Sequence, residues 1–308
     1  MGEPDTNTSS EVVILLSAYN GEKYVEQQLE SIFSQTYPNI RVIVRDDGST
    51  DCTVDILQMY ADRGLIELVT GENIGFIKSF TWLLENAGEA DYYSFADQDD
   101  VWLPDKIERA VTALQRLDDS QPVFYFSNFD YYDQDMQFIA HSKPLKAQFT
   151  LSSTLLDFKS RGFTCVFNNK LRQLFLLMDP ENLFPHDYLS LLIGASMGDV
   201  VYDPQACAKY RRHGTNVSIT NESFLKLQIW RIKNFLLKDD FNYKQKFADF
   251  YSTYESYLSD ENKRFMRLFL NKRYRPDHVF IKMFYPARFR DKLFDELALR
   301  FMFFIGHL

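Results

Sequence analysis

The sequence predicts an α/β fold: a doubly wound, mainly parallel sheet followed by a helical extension at the C-terminus. Three observations carry this. Short apolar runs alternate with segments of helical periodicity as far as Pro122, the loops after three of the first four runs are polar, and from Glu222 the chain becomes aromatic and basic at helical spacing.

The first unit is the run Val12 to Leu16, the loop Ser17-Ala18-Tyr19-Asn20-Gly21, and a helix with Val25, Leu29, Ile32 and Phe33 on one face. Arg41 to Val44 opens the second, which turns at Asp46 to Asp51 and continues as a helix carrying Val54, Leu57 and Ala61 that stops at Gly64. Leu65 to Val69 is the third strand, and Ile77, Phe80 and Leu84 mark the helix after Gly75. Tyr92 to Ala96 is the fourth, followed by Asp97-Gln98-Asp99-Asp100 and a helix opened by Pro104 with Ile107, Ala110, Val111 and Leu114 inward. This alternation implies right-handed crossovers with helices on both faces, and a ligand site beyond the carboxyl ends of the strands. After Pro122, Val123 to Ser127 and Phe163 to Phe167 read as strands and Tyr188 to Ala195 as a short helix. The expected organisation is one domain over residues 1–221 and a helical region over 222–308.

Composition narrows the function. The 308 residues carry 34 Lys plus Arg against 43 Asp plus Glu, a net charge of −9, so nucleic acid is not an expected partner. The charge is partitioned: residues 222–308 hold 17 basic and 11 acidic side chains, net +6, which leaves −15 on residues 1–221. Cys52, Cys165 and Cys207 are odd in number and lack metal or disulfide spacing, which suits a reducing cytoplasm. The first ten residues lack the pattern of a secretion signal, and no apolar run approaches the roughly 20 residues that span a bilayer. The expected location is cytoplasmic, with peripheral contact at the inner face of the membrane or a homodimer contact through 222–308. There Trp230 sits among basic residues, and Lys272, Arg273 and Arg275 precede Phe280 and Phe284.

The acidic loop Asp97-Gln98-Asp99-Asp100 follows a buried strand, where clustered carboxylates are costly unless a positive charge neutralises them. Mg²⁺ or Mn²⁺, held by one or two carboxylates and completed by substrate phosphates, suits it; a solvated capping loop is the plainer alternative. Asp46 and Asp47 also end a strand. A turn explains Ser49, Thr50 and Asp51, whereas paired carboxylates could accept the N3–H of a uracil or thymine ring. Neither a Gly-x-Gly-x-x-Gly turn nor a P-loop is present.

Taken in order, Ser17-Ala18-Tyr19-Asn20-Gly21, Arg45-Asp46-Asp47-Gly48-Ser49-Thr50-Asp51, Glu72-Asn73-Ile74-Gly75 and Asp97-Gln98-Asp99-Asp100 resemble family 2 glycosyltransferases of the GT-A fold, especially the bacterial rhamnosyltransferase-like branch. The resemblance implies that Ser17, Tyr19 and Asn73 border the nucleotide, that Asp47 reads the base, and that Asp97 approaches the ribose and metal region. Asp99 would bind the metal, with Asp97 and His213 beside it. His186-Asp187-Tyr188 lies where the family places its catalytic base, which assigns that role to Asp187. Tyr210-Arg211-Arg212-His213-Gly214-Thr215-Asn216 resembles a closing loop in which Arg211 and His213 face the diphosphate, and Arg161-Gly162-Phe163-Thr164-Cys165 resembles the acceptor segment, with Phe163 where a Cys is common. The implied reaction is inverting transfer of a sugar, L-rhamnose from a dTDP donor or a hexose from a UDP donor. The acceptor is a carbohydrate or a polyprenyl-linked glycan of the cell surface. An inactive sugar-nucleotide-binding partner subunit and a nucleotidyltransferase are the alternatives.

Overall fold

Alternate residues of the first strand go to opposite sides of one sheet, and the rest of the chain is wound around that division. The structure is a computed structural model that describes residues 9–146, 148–213, 243–270, 276–286, 288–290 and 293–304. Its first half is β1 (Val12–Ala18), α1 (Val25–Phe33), β2 (Ile40–Asp46), α2 (Thr53–Asp62), β3 (Glu67–Thr70), α3 (Phe76–Asn86) and β4 (Tyr92–Asp97). Val12, Ile14 and Leu16 of β1 pack with α1, α2 and the later helix Lys106–Leu114. Val13 and Leu15 pack with Phe80, Leu83 and Leu84 of α3 on the other side. Each face is buried, as a parallel sheet requires.

The second half runs β5 (Val101–Trp102), α4 (Lys106–Leu114), β6 (Val123–Tyr132), β7 (Phe138–His141), α5 (Leu151–Thr154), β8 (Val166–Asn168), α6 (Asn169–Phe175), α7 (His186–Met197) and β9 (Asp199–Arg211). The sheet order is β3-β2-β1-β4-β8-β6-β9-β5, with β7 on β6. The first four strands are parallel as expected; β8 then pairs antiparallel with β4 and β6, while β6 and β9 are parallel, so the whole sheet is mixed. The expected strand Phe163 to Phe167 is two pieces, because Thr164 N donates to Arg161 O at 2.9 Å in a tight turn over Gly162–Thr164 before β8 begins. The sequence gives no signal for β9. It carries Asp203, Pro204 and Gln205, which the β6 partner accommodates through a register shift between Ser127 and Asn128.

Four C-terminal helices follow in the described residues: Tyr243–Tyr254, Asp260–Leu270, Pro276–Met283 and Leu293–Phe304. Their aromatics do not form a separate core. Phe250, Tyr254, Phe265 and Phe289 belong to the same cluster as Val13 and Leu15 of β1. Tyr254 Oη donates to Leu174 O at 2.8 Å, Lys246 Nζ to Leu183 O at 2.7 Å and Asn262 Nδ2 to Ser196 O at 2.8 Å, which fastens this region to α6, α7 and the loop between them. Trp230, Lys272, Arg273 and Arg275 lie outside the described residues, as do Gly214, Thr215 and Asn216 of the expected closing loop. Among the described residues no helix is long and apolar enough to cross a membrane.

Candidate active site

Because β1 lies between β2 and β4 with all three parallel, their carboxyl ends are level: Ser17 is in register with both Arg45 and Asp97. The loops that follow are laced together by short polar side chains. Gln98 pairs with the backbone of Tyr19, accepting from its N–H at 2.8 Å and donating to its carbonyl at 2.9 Å, as a neighbouring strand would. A Cβ at Gly21 would collide with the Gln98 amide, so the glycine is required for that approach. Asn20, at φ 49°, donates its N–H to Ser49 Oγ at 2.9 Å and accepts Thr50 N–H at 2.8 Å. Ser17 Oγ meets Ser79 Oγ of α3 at 2.6 Å, and Tyr19 is exposed.

Asp46 and Asp47 divide the work at the end of β2. Asp46 accepts the N–H groups of Gly48 and Ser49 at 3.1 and 2.9 Å and so shapes the turn. Asp47 is only 3% exposed: it is ion-paired with Arg45 and accepts the N–H groups of Ile74 and Gly75, each at 2.9 Å. The side chain expected to read a base therefore also fastens the Asn73 loop to the sheet. Asn73 itself is exposed and accepts Gly75 N–H at 3.2 Å.

The loop after β4 gathers the charge. Asp97 is pushed up to about 8, first by burial and then by Asp99 and Asp187. Asp100 is fully buried and raised well above the carboxylate range by burial and then by Asp99 and Asp97; its Oδ1 accepts Arg211 N–H at 3.0 Å, and its Oδ2 meets no protein donor. Asp99 Oδ2 lies 2.7 Å from His213 Nε2. Three carboxylates in four residues, one with an unsatisfied buried oxygen, fit the oxygen-donor requirement of Mg²⁺ or Mn²⁺. Among the described residues no group of three or more His, Cys, Asp or Glu side chains is placed to hold a metal ion.

Arg211 and His213 arrive at the end of β9. The geometry differs from the expectation for Arg211, whose guanidinium is engaged within the protein. Nε donates to Asp99 O at 2.9 Å, Nη1 to Gln134 O at 2.8 Å and Nη2 to Gln27 Oε1, and the group lies 4.8 Å over the Tyr24 ring. It is a strut for the acidic loop. Tyr24 also stacks on His213 at 4.7 Å. Sequence reasoning had no signal for Tyr24 or Gln27, since neither sits in a recognisable turn or strand end.

Asp187 stands in the first turn of α7, with Pro185 and not the aspartate at the cap. Its Oδ1 accepts Tyr188 N–H at 2.8 Å. Burial raises its pKa, and the Arg161 guanidinium opposes the shift. The Asp187 charge is among those that raise Asp97, so the carboxylate of α7 lies near the acidic end of β4. A carboxylate moved toward neutrality, beside a cluster suited to a cation, is equipped to take a proton while negative charge is neutralised nearby.

Comparison with known proteins follows the same lines. A family model described as Glycosyl transferase family 2 matches residues 13–193. An uncharacterised glycosyltransferase of Rickettsia typhi is 29% identical over 220 residues, 70% of this chain and 68% of that protein. The dTDP-rhamnosyl transferase RfbG of Shigella flexneri is 35% identical over 105 residues, 32% of this chain and 36% of its own length. Solved glycosyltransferases share the GT-A fold. One is the mannosyltransferase PcManGT of Pyrobaculum calidifontis, solved with GDP-Man and Mn²⁺, at a TM-score of 0.52 and 16% identity over 87% of this chain and 71% of that one.

Proposed function

The chain belongs to glycosyl transferase family 2, and on that premise we propose that it moves a sugar from a nucleoside diphosphate to a hydroxyl of a carbohydrate or polyprenyl-linked glycan, with inversion at the anomeric carbon. The observation that carries this reading is the level carboxyl ends of β1, β2 and β4, whose polar loops meet in one site. Inversion needs a base on the face of the sugar away from the leaving diphosphate, the role this reading gives to Asp187 of α7 while the loop after β4 takes the diphosphate side.

Asp187 takes the proton of the acceptor hydroxyl, and its raised pKa brings its basicity closer to that task than an ordinary carboxylate. Asp99, with Asp97 and His213, would hold the divalent cation, which when bound supplies charge for the departing diphosphate. Ser17, Tyr19, Asp47 and Asn73 border the nucleotide. Asp47 does so while gripping Ile74 and Gly75, which keeps Asn73 at the rim. Arg211 acts by holding the Asp99 carbonyl and the Asp100 carboxylate, and His213 by its contact with Asp99. The Mn²⁺ and nucleotide sugar of PcManGT support the metal and donor class, and the likeness to RfbG supports a dTDP-rhamnose donor, with a UDP-hexose as the alternative.

A membrane-borne acceptor is supported by the helices Pro276–Met283 and Leu293–Phe304. They leave Phe280, Leu293, Leu297 and Phe301 exposed, with Phe284 exposed just after the first of them, within the C-terminal stretch 222–308 of net charge +6. The whole reading is tested by supplying UDP and dTDP sugars with Mg²⁺ or Mn²⁺ and an acceptor mixture. Release of nucleoside diphosphate is expected; release of pyrophosphate would mark a nucleotidyltransferase, and binding without turnover an inactive partner subunit.

A further inference from the structure

Tyr24 completes a circuit of contacts around Asp99. It is the N-cap residue of α1, half-buried, and its N–H donates to Gly21 O at 2.9 Å. Gly21 is the residue against which the Gln98 amide packs. On the other side of the circuit the Tyr24 ring stacks on His213 at 4.7 Å between centroids, 29° from parallel, and lies 4.8 Å from the Arg211 guanidinium above it. Both of those groups hold Asp99: His213 Nε2 lies 2.7 Å from its Oδ2, and Arg211 Nε donates to its carbonyl at 2.9 Å. Gln98 and Asp99 are neighbours in the loop after β4, so the path from Gln98 through Gly21, Tyr24 and His213 returns to the loop where it began.

His213 lies two residues past the end of β9, beyond the strand ladder, yet its side chain is only 8% exposed. A flat aromatic partner restrains the plane of an imidazole, and an aliphatic side chain of similar bulk does not. Resting on the transferase reading, we infer that Tyr24 is a positioning residue: it sets the His213 ring, and through it the Asp99 carboxylate, for a divalent cation whose shell a nucleoside diphosphate completes. Partners that orient a metal ligand without touching the metal are commonly worth about 10- to 100-fold in affinity. Gln27, one turn further along α1, accepts from Arg211 Nη2 and so holds the guanidinium from the same helix.

The experiment measures by calorimetry the affinity of UDP and dTDP, each with and without Mg²⁺, for wild type, Tyr24→Phe and Tyr24→Leu. Tyr24→Phe keeps the ring and is expected to bind within about two-fold of wild type. Tyr24→Leu is expected to lose at least about ten-fold of affinity with Mg²⁺ and to stay within about two-fold of wild type without it. In a His213→Gln background the Tyr24→Leu change should add little, because it acts through His213. The inference is overturned by unchanged affinity of Tyr24→Leu with Mg²⁺, by an equal loss with and without the metal, which a general loosening would give, or by full additivity with His213→Gln. A wild type that binds the nucleotides equally well with and without Mg²⁺ also overturns it, whereas a wild type that binds neither nucleotide sinks the transferase reading and the inference with it. Should Tyr24→Leu not fold, the ring protons of His213 in the wild type decide. Signals shifted upfield by the stacked tyrosine and moved by the bound nucleotide with Mg²⁺ support the inference, and signals that lack either property overturn it.

Discussion

At the scale of single residues, the site depends on where charge is buried. Asp187→Asn keeps the shape and removes the base, so donor affinity should hold while turnover falls at least about 10²-fold. Surviving turnover would mean another group takes the proton. Asp99→Ala removes a carboxylate from the cluster that raises Asp97 and Asp100, and transfer should be lost with the fold intact. Full activity of that variant in chelator would refute the metal assignment. A third buried charge lies outside the site. Lys106 is fully buried, with Nζ 3.7 Å over the Trp102 ring and 2.9 Å from Ser94 Oγ, and burial pushes its pKa from 10.5 down to about 8. The unfolded chain recovers the ordinary value, so between pH 8 and 10.5 it binds more protons than the folded one and stability rises with pH through that window. Below it the cost of burial is fully present. Lys106→Met should be neutral or stabilising at pH 7, by at most about 3 kcal/mol, and should flatten the rise in melting temperature above pH 8. A loss of more than about 1 kcal/mol at pH 7 would show that the Trp102 and Ser94 contacts outweigh desolvation.

At the scale of elements, loops are held by side chains that imitate backbone. Gln98 pairs with Tyr19 as a strand would, and Gly21 leaves room for it. In Gly21→Ala the flexible amide would move aside and lose two hydrogen bonds, each worth about 0.5–1.5 kcal/mol. That variant should fold, melt a few degrees lower and bind donor more weakly, because Tyr19 is no longer held. A double-mutant cycle checks the cause: in a Gln98→Ala background the Gly21→Ala change should add little, and full additivity would exclude the contact. Asp47 works in the same way between β2 and the start of α3, which is why a residue expected to read the base also has a structural duty.

At the scale of the whole molecule, the proposed membrane contact rests on the charge partition and on the exposed apolar side chains near the C-terminus. With Phe280, Phe284, Leu293, Leu297 and Phe301 outward in a region of net charge +6, the protein should sediment with anionic liposomes at low salt and be released at high salt. No sedimentation at low salt removes the lipid reading, and a concentration-dependent dimer in its place assigns the face to a second copy. The same C-terminal helices complete the core over α6 and α7. Phe250 is fully buried there, so Phe250→Ala should cost about 3–5 kcal/mol in unfolding experiments although it lies far along the chain from every site residue.

The sequence by itself determined the parallel half. Hydrophobic period and turn residues are local signals, and strand–loop–helix units report themselves within about two dozen residues each. They placed Ser17, Asp47, Asp97 and Asp99 at strand ends. Tertiary structure alone decided the rest, because those decisions rest on long-range contact. Strand β9 is interrupted by Asp203, Pro204 and Gln205 and runs on because β6 and β5 pair with it. The guanidinium of Arg211 turns inward because Gln27, 184 residues away, and Tyr24 wait there. His186 and Asp187 adjoin the acidic loop because α7 packs beside α3 and β4, and no periodicity in the sequence encodes that neighbourhood.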